Sequence, residues 1–170
     1  MSVNGALFVG IGSPHGDDRI GWLVADALEQ KPSGLLRIRR AGNPLDLLNW
    51  LDDHDCLILC DACQGLSTGP NSDRCPPGTW QRWTWPCADL PVGRIRNSHD
   101  LGLVSTLTLA MQLNLLPTTV WLWGIEIADP GPERPLTPGV ASAAAPVAAE
   151  IAQALSDHQL NSSGLRSAHA

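Results

Sequence analysis

The stretch that most constrains the fold is residues 7–22, LFVGIGSPHGDDRIGW. It opens with three apolar residues, which are typical of a buried strand. Gly10 and Gly12 then predict a sharp turn of the backbone and an uncrowded strand end. Apolar residues at helical spacing follow, so residues 19–30 are predicted to form a helix. The chain therefore places charged side chains on a tight strand-to-helix connection, where α/β sheets carry their sites.

Strand and helix patterns alternate through most of the remaining chain. Predicted strands cover residues 35–40, 56–62, 79–85 and 118–126, and predicted helices cover residues 45–51 and 101–115 and a final Ala-rich segment that starts at Thr137 or Ser142 and ends near Leu155. This order predicts an α/β fold, a three-layer sandwich whose mostly parallel central sheet of about five strands is flanked by helices.

Two strands have patterns that predict their place in the sheet. Residues 56–62 (CLILCDA) are apolar on both faces, as expected of a central strand, whereas residues 35–40 (LLRIRR) alternate like an edge strand. No repeat or linker divides the chain. We therefore expect a single domain over residues 1–155 and a polar, disordered tail over residues 156–170.

Charge and composition exclude several classes of protein. The net charge of −6 argues against nucleic acid or an anionic membrane as the main partner. No apolar run approaches the ~20 residues of a spanning helix, and the N-terminus lacks the features of a signal peptide. These features predict a cytoplasmic protein. Its five cysteines are an odd number, which favours reduced thiols over a disulfide framework.

Three side chains from separate parts of the sequence are candidates for one site. Asp18 lies on the first loop, Asp61 ends the apolar third strand, and His99 precedes a predicted helix that Ser98 or Asp100 would cap. In a parallel sheet all three can meet at one edge, where they would suit nickel, zinc, iron or manganese. The alternative is structural: Asp18 caps the first helix, Asp61 holds loop backbone and His99 packs near a helix cap.

Other residues are weaker candidates. His15 can join the site or simply be an exposed loop histidine, and Asp17 can cap the first helix. The pair Cys60 and Cys63 resembles half of a zinc site, but no second close pair exists, so core thiols are favoured. The seven tryptophans indicate bulky sheet faces, some of which could dock another protein.

The loop after the first strand disfavours a dinucleotide-binding site, and the lack of a zinc-binding motif disfavours a zincin. The glycines at positions 10, 12 and 16 are spaced one residue too widely for a dinucleotide fingerprint, and the acids beside them oppose phosphate. We therefore expect no nucleotide cofactor. No H-E-x-x-H motif is present, so zincin chemistry has no support.

The order of several motifs resembles the hydrogenase maturation endopeptidase family. The motifs are the glycines and acids of residues 10–21, LILCDA at 57–62, SHDLG at 98–102, WGIE at 123–126 and LTPGV at 136–140. The resemblance extends from about Leu7 to Leu155. It departs from the family where Ser13 replaces the usual Asn after the second glycine, followed by Pro14 and His15.

This resemblance implies an activity and a set of site residues. Family members remove a C-terminal extension from the large-subunit precursor of nickel–iron hydrogenases. Their two acidic metal contacts and their histidine correspond to Asp18, Asp61 and His99. The nickel belongs to the precursor, so it is part of the substrate and is contacted transiently.

We therefore expect a hydrolase: a metal-dependent, aspartic-type endopeptidase whose catalytic and metal-contacting residues are Asp18, Asp61 and His99. Its partner would be a hydrogenase large-subunit precursor, and we expect a monomer. The alternative is a non-catalytic assembly factor that senses nickel in the immature subunit. Which carboxylate is the general base, and what the Cys- and Pro-containing loop at residues 70–78 does, stay open.

Overall fold

The computed structural model describes residues 5–31, 34–66, 74–88, 90, 102–128, 131 and 133–167, with side chains of the last helix to residue 162. Its strands are β1 (Ala6–Ile11), β2 (Leu36–Ala41), β3 (Cys56–Cys63), β4 (Trp80–Thr84) and β5 (Thr119–Glu126), and its α-helices are α1 (Ile20–Glu29), α2 (Leu103–Gln112) and α3 (Pro138–Ser167). Two 3-10 helices, Gly16–Arg19 and Pro44–Asn49, complete the described elements.

The five strands form one sheet in the order β2-β1-β3-β5-β4. All neighbouring pairs are parallel except β4 and β5, which are antiparallel. The predicted α/β class with a mostly parallel sheet is confirmed. The predicted positions of two strands are confirmed as well, because β3 lies at the centre with every residue buried and β2 is an edge strand with alternating exposure.

Helices cover the sheet on both faces, which makes three layers. One face packs Phe8, Ile58 and Trp123 against apolar residues of α1 and α3. The opposite face packs Leu59 and Leu122 against α2 and the second 3-10 helix. Residues that alternate along each strand therefore fill two separate cores, as expected when a parallel sheet is buried on both sides.

The strand order places a crevice between β1 and β3. From β1 the chain crosses through α1 to β2 on one side, and it then returns to β3 on the other side of β1. The connections that leave β1 and β3 consequently diverge at the carboxyl ends of these strands. Such a switch point is where open α/β sheets bind their ligands.

The glycines of the first loop are needed for space. A Cβ atom placed on Gly10 would lie 2.1 Å from the carbonyl oxygen of Gly21, and one on Gly12 would lie 2.1 Å from that of Asp18. Neither Gly10 nor Gly12 has a positive φ, whereas Gly16 does, at 51°. The predicted uncrowded strand end is therefore confirmed, because Gly10 makes room for the backbone of α1 and Gly12 makes room for the carbonyl oxygen of Asp18. Gly10 lies inside β1, so the prediction that it serves a sharp turn was wrong.

The helices differ from the prediction at three places. Residues 45–51 were predicted as a helix and form the 3-10 helix Pro44–Asn49 instead, closed by a capping box between Asn43 and Asp46. Helix α2 begins at Leu103 with Gly102 at its N-cap position, so the predicted caps Ser98 and Asp100 do not hold that position. Those two residues lie outside the described part of the chain.

Helix α3 continues to Ser167, beyond the predicted end near Leu155. Two contacts explain the extension into a polar segment. Gln153 donates to Asp157 along the helix at 2.9 Å, and the His158 ring meets Trp121 of β5 edge-on at 5.3 Å between centroids. None of the described helices is both long and apolar enough to cross a membrane.

The close contact of α1 with the sheet can be tested by Gly21→Ala. A Cβ atom there would lie 2.2 Å from the carbonyl oxygen of Ile11 and 2.7 Å from that of Cys60, both in rigid buried backbone. We expect the free energy of unfolding to fall by about 1–3 kcal/mol or more, measured by urea denaturation.

Gly42→Ala is the matched control, because a Cβ atom on Gly42 would have no other atom within 4 Å and its φ is not positive. It should change stability by only about 0.5 kcal/mol. Equal effects of the two substitutions would contradict the space argument.

Candidate functional site

Asp61 lies at the carboxyl end of the central strand, in register with Gly124 of β5. Its side chain is buried, with 7% of the residue exposed. Among the described residues, the hydrogen bond found for its carboxylate comes from the backbone N–H of Ala62, which donates to Oδ1 at 2.8 Å. The alternative in which Asp61 holds loop backbone has little support, because the amide that donates to its carboxylate belongs to the next residue of β3.

Asp18 lies on the 3-10 helix between β1 and α1 and is partly buried. Its carbonyl oxygen accepts a hydrogen bond from the N–H of Ser13 at 3.3 Å. The N-cap positions of the 3-10 helix and of α1 belong to His15 and Arg19, and neither helix has a side-chain cap. The alternative in which Asp18 caps the first helix is therefore wrong.

The environment of the Asp61 carboxyl group changes its acidity. Burial, and after it the negative charge of Asp18, raise the pKa of Asp61 well above its ordinary value, while the Ala62 N–H opposes the rise. The 3-10 helix that carries Asp18 contacts β3, the strand that carries Asp61. Asp18 therefore lies on a segment next to β3, at the switch point between β1 and β3.

The third predicted residue, His99, lies outside the described residues. Across the part of the chain that the structure does describe, no group of three or more His, Cys, Asp or Glu side chains is arranged to hold a metal ion. The three-residue metal contact therefore stays a prediction. A pair of carboxylates can supply oxygen ligands to an ion but needs a further donor to complete a site.

Asp17 has a different role from the helix cap that we considered. It is 2% exposed, and its carboxylate accepts hydrogen bonds from the backbone N–H groups of Ala128 and Thr137 and from the Thr137 hydroxyl. His15 is exposed, and its N–H donates to the Ser13 hydroxyl at 3.4 Å. Asp17 is therefore internal to the fold, whereas the side chain of His15 faces solvent.

Glu126, the last residue of β5, is a buried acid that sequence reasoning left without a role. It is 1% exposed and accepts hydrogen bonds from the backbone N–H groups of Gly65 and Leu66, at 3.0 and 2.9 Å. The guanidinium of Arg74 lies 4.0 Å away. Glu126 thus holds the loop that leaves β3 after Asp61. The rule that drew attention to Asp61, an acid at the end of an apolar strand, applies to Glu126 equally.

The cysteines are arranged as core thiols. Cys56, Cys60 and Cys63 are buried along β3, and Cys75 and Cys87 are half-buried; all five are free. Burial raises the pKa of Cys56 to about 12 and raises those of Cys60 and Cys63 well above the ordinary value. Since metal binding and nucleophilic attack both need the thiolate, these three thiols are poorly suited to either.

The tryptophans mainly build the sheet and its contact with α3. Trp121 and Trp123 of β5 pack edge to face at 6.2 Å, and the Arg82 guanidinium lies over the Trp121 ring at 4.2 Å. The indole N–H groups of Trp80 and Trp123 both donate to Glu150 of α3. The prediction of bulky sheet faces is confirmed for these residues, and docking of another protein stays a prediction.

Comparison with known proteins supports the same fold. No protein-family model matches this sequence, and no match was found among curated proteins. Solved structures that are similar include the hydrogenase maturating endopeptidase HybD from E. coli (24% identity, TM-score 0.69), covering 91% of this chain and 93% of that one. A solution structure of an endopeptidase from Escherichia coli also has 24% identity and the same coverage, with a TM-score of 0.73.

An archaeal structure extends the likeness. The [NiFe] hydrogenase maturation protease HybD from Thermococcus kodakarensis is 21% identical, with a TM-score of 0.66 over 89% of this chain and 98% of that one. At these identities the likeness establishes a shared fold. The resemblance inferred from the motifs is thus confirmed in the fold, because several of the similar solved structures are hydrogenase maturation endopeptidases.

The environment of Asp61 predicts a pH-dependent effect of Asp61→Asn on stability. Because the native state raises the pKa of Asp61, it binds the proton more tightly than the unfolded state, so stability falls as pH rises above about 4. The variant carries no charge there and keeps an acceptor for Ala62. We expect it to be more stable than wild type at neutral pH, by more than about 0.5 kcal/mol, with the difference shrinking toward acid pH.

Urea denaturation from acid to neutral pH measures the difference in the free energy of unfolding between Asp61→Asn and wild type. Asp52→Asn, at an exposed position, is the control. A variant that is no more stable than wild type at neutral pH, or whose difference does not vary with pH, would contradict the raised pKa.

Burial of the thiols predicts two classes of cysteine reactivity. In the native protein near neutral pH, Cys75 and Cys87 should react with a maleimide reagent well before Cys56, Cys60 and Cys63, because the latter are buried. Peptide mass spectrometry locates the label, and labelling in concentrated urea, where all five should react, is the control. Early labelling of Cys60 would show that β3 is not closed as described.

Proposed function

We propose that this protein is an endopeptidase that removes the C-terminal extension of a nickel-loaded hydrogenase large-subunit precursor. The observation that carries the proposal is the contact, at the switch point between β1 and β3, of the 3-10 helix that carries Asp18 with the strand that carries Asp61. The shared fold with hydrogenase maturation endopeptidases supports the kind of substrate. The motifs around these residues, from the first loop to residues 136–140, support the same assignment.

In this proposal the metal arrives with the substrate. Asp18, Asp61 and His99 contact the nickel of the precursor, and this contact brings the scissile peptide bond to the crevice. Two carboxylates and an imidazole are ligands that nickel accepts. Because two carboxylates held close together repel each other, a cation that enters between them is favoured. Cleavage would therefore depend on prior loading of the precursor with nickel.

The chemistry proposed is attack by water on the scissile carbonyl. The substrate's nickel can polarise either that carbonyl or the attacking water. A carboxylate with a raised pKa suits proton transfer at neutral pH better than an ordinary one, and Asp61 has this property. We therefore assign proton transfer to the Asp18–Asp61 pair and favour Asp61 as the residue that exchanges the proton.

Covalent catalysis by cysteine has little support in this chain. The three thiols of β3 are buried, and burial raises their pKa values, so a thiolate nucleophile is disfavoured. Cys75 and Cys87 pack against the apolar cluster around α2. The proposed reaction uses no serine or cysteine nucleophile.

The proposal predicts the loss of precursor cleavage when a site residue changes. Asp18→Asn, Asp61→Asn and His99→Ala should each lower the cleavage rate by about 10²-fold or more, because each removes a nickel contact or the proton acceptor. A gel that resolves the precursor from its shortened product measures cleavage of a purified nickel-loaded precursor. Asp52→Asn is the matched control and should cleave at the wild-type rate.

Three outcomes of this assay separate the possibilities. Cleavage that withstands serine- and cysteine-protease inhibitors and is lost in the three variants supports the proposal. Stable binding of the precursor by wild-type protein without shortening would instead support the non-catalytic assembly factor. Neither binding nor shortening of any cognate precursor would overturn both.

A further inference from the structure

Asp17, next to the proposed site residue Asp18, has a buried carboxylate whose two oxygens both accept hydrogen bonds. It is 2% exposed, and its two oxygens receive three hydrogen bonds. Oδ1 accepts from the N–H of Thr137 at 2.6 Å, and Oδ2 accepts from the N–H of Ala128 at 3.1 Å and the Thr137 hydroxyl at 2.9 Å. Both carboxylate oxygens are therefore occupied, so Asp17 is not available to contact a substrate.

The donors come from a distant part of the chain. Ala128 follows β5, and Thr137 immediately precedes α3. Asp17 thus joins the short 3-10 helix after β1 to both ends of the connection between β5 and α3. A single carboxylate therefore links two segments that lie 111 to 120 residues apart in the sequence.

A second contact between the same two segments lies one residue away. A Cβ atom on Gly16 would lie 2.8 Å from the carbonyl oxygen of Arg134, and the φ of Gly16 is +51°. The 3-10 helix has only four residues and no side-chain cap, so it has little stability of its own. Its position depends on what it contacts on either side.

We propose that Asp17 is a positioning residue that holds the carboxylate of Asp18 against Asp61. The inference rests on the proposed function, in which this pair engages the substrate's nickel. Asp18 is attached on one side to the loop that follows β1, because its carbonyl oxygen accepts a hydrogen bond from the N–H of Ser13. Asp17 attaches the same turn on the other side, through Thr137 and Ala128, and so sets how far the Asp18 side chain stands from β3.

The chemistry of the contact makes it specific for a carboxylate. All three partners are donors, and an ionised aspartate offers acceptors only. Asparagine would turn an NH₂ group toward at least one N–H or O–H, which leaves a buried donor unsatisfied. Thr137 supplies two of the three hydrogen bonds, so a change of its hydroxyl removes one bond without altering Asp17.

Four variants test the proposal: Asp17→Asn, Thr137→Val, Thr137→Ser and Ile151→Ala. The last is a control for stability, because Ile151 is fully buried in the core beneath α3 and is far along that helix from Thr137. Each is assayed with the nickel-loaded precursor for kcat and KM. Each is also analysed by amide hydrogen exchange of peptides that contain residues 12–19 or Thr137.

We expect Asp17→Asn to lower kcat by about tenfold or more, since small displacements of reacting groups have effects of this size. KM should change little, because the residues that would contact the precursor remain. Thr137→Val should show a smaller loss, and Thr137→Ser should resemble wild type. Exchange at residues 12–19 should become faster in Asp17→Asn and Thr137→Val, while Ile151→Ala should leave kcat and that exchange unchanged.

Several results would overturn the inference. These are wild-type kcat and exchange in Asp17→Asn, identical behaviour of the two Thr137 variants, or the same loss of kcat in Ile151→Ala. If Asp17→Asn does not fold, the two Thr137 variants decide. If wild-type protein cleaves no precursor, the proposed function fails, and exchange at residues 12–19 alone then decides whether Asp17 positions this turn.

Discussion

The site depends on how closely the start of α1 lies against β1 and β3. At Gly10 and Gly21 the two backbones leave no room for a Cβ atom, and at Gly12 the carbonyl oxygen of Asp18 occupies that space. This close approach of α1 places the 3-10 helix that follows β1 next to β3. The negative charge of Asp18 then acts on the buried carboxyl of Asp61. The close backbone packing at these glycines therefore underlies the effect of the Asp18 charge on the pKa of Asp61.

The described chain contains three buried acids, and their surroundings differ in an informative way. Asp17 and Glu126 are each surrounded by donors, three for the first and two backbone amides for the second. Asp61 accepts a hydrogen bond from the N–H of the next residue, and the negative charge of Asp18 acts on it. Asp17 and Glu126 therefore stabilise the connections around the crevice, whereas Asp61 is the one of the three with the fewest hydrogen-bond donors among the described residues.

Much of the architecture could be predicted because hydrophobic patterns reflect burial directly. The central position of β3 followed from an apolar run on both faces, and the edge position of β2 followed from its alternation. The contacts that require Gly10 and Gly12 could not be predicted in the same way, since Gly10 meets the backbone of α1 and Gly12 meets the carbonyl oxygen of Asp18 only in the folded structure. The same holds for Asp17, whose partners Ala128 and Thr137 are distant in the sequence. The end of α3 was missed because His158 is held by Trp121, a contact that helical periodicity does not contain.

The Glu150 carboxylate, which two indole N–H groups share, has an optical consequence. Trp80 and Trp123 lie on different strands, yet both donate to the same residue of α3, and the Arg82 cation lies 5.0 Å from the Trp123 ring centre. The fluorescence emission of these two tryptophans therefore depends on the packing of α3 against the sheet. The intrinsic tryptophan fluorescence of the protein thus reports whether α3 is packed on the sheet, and no dye needs to be attached to observe it.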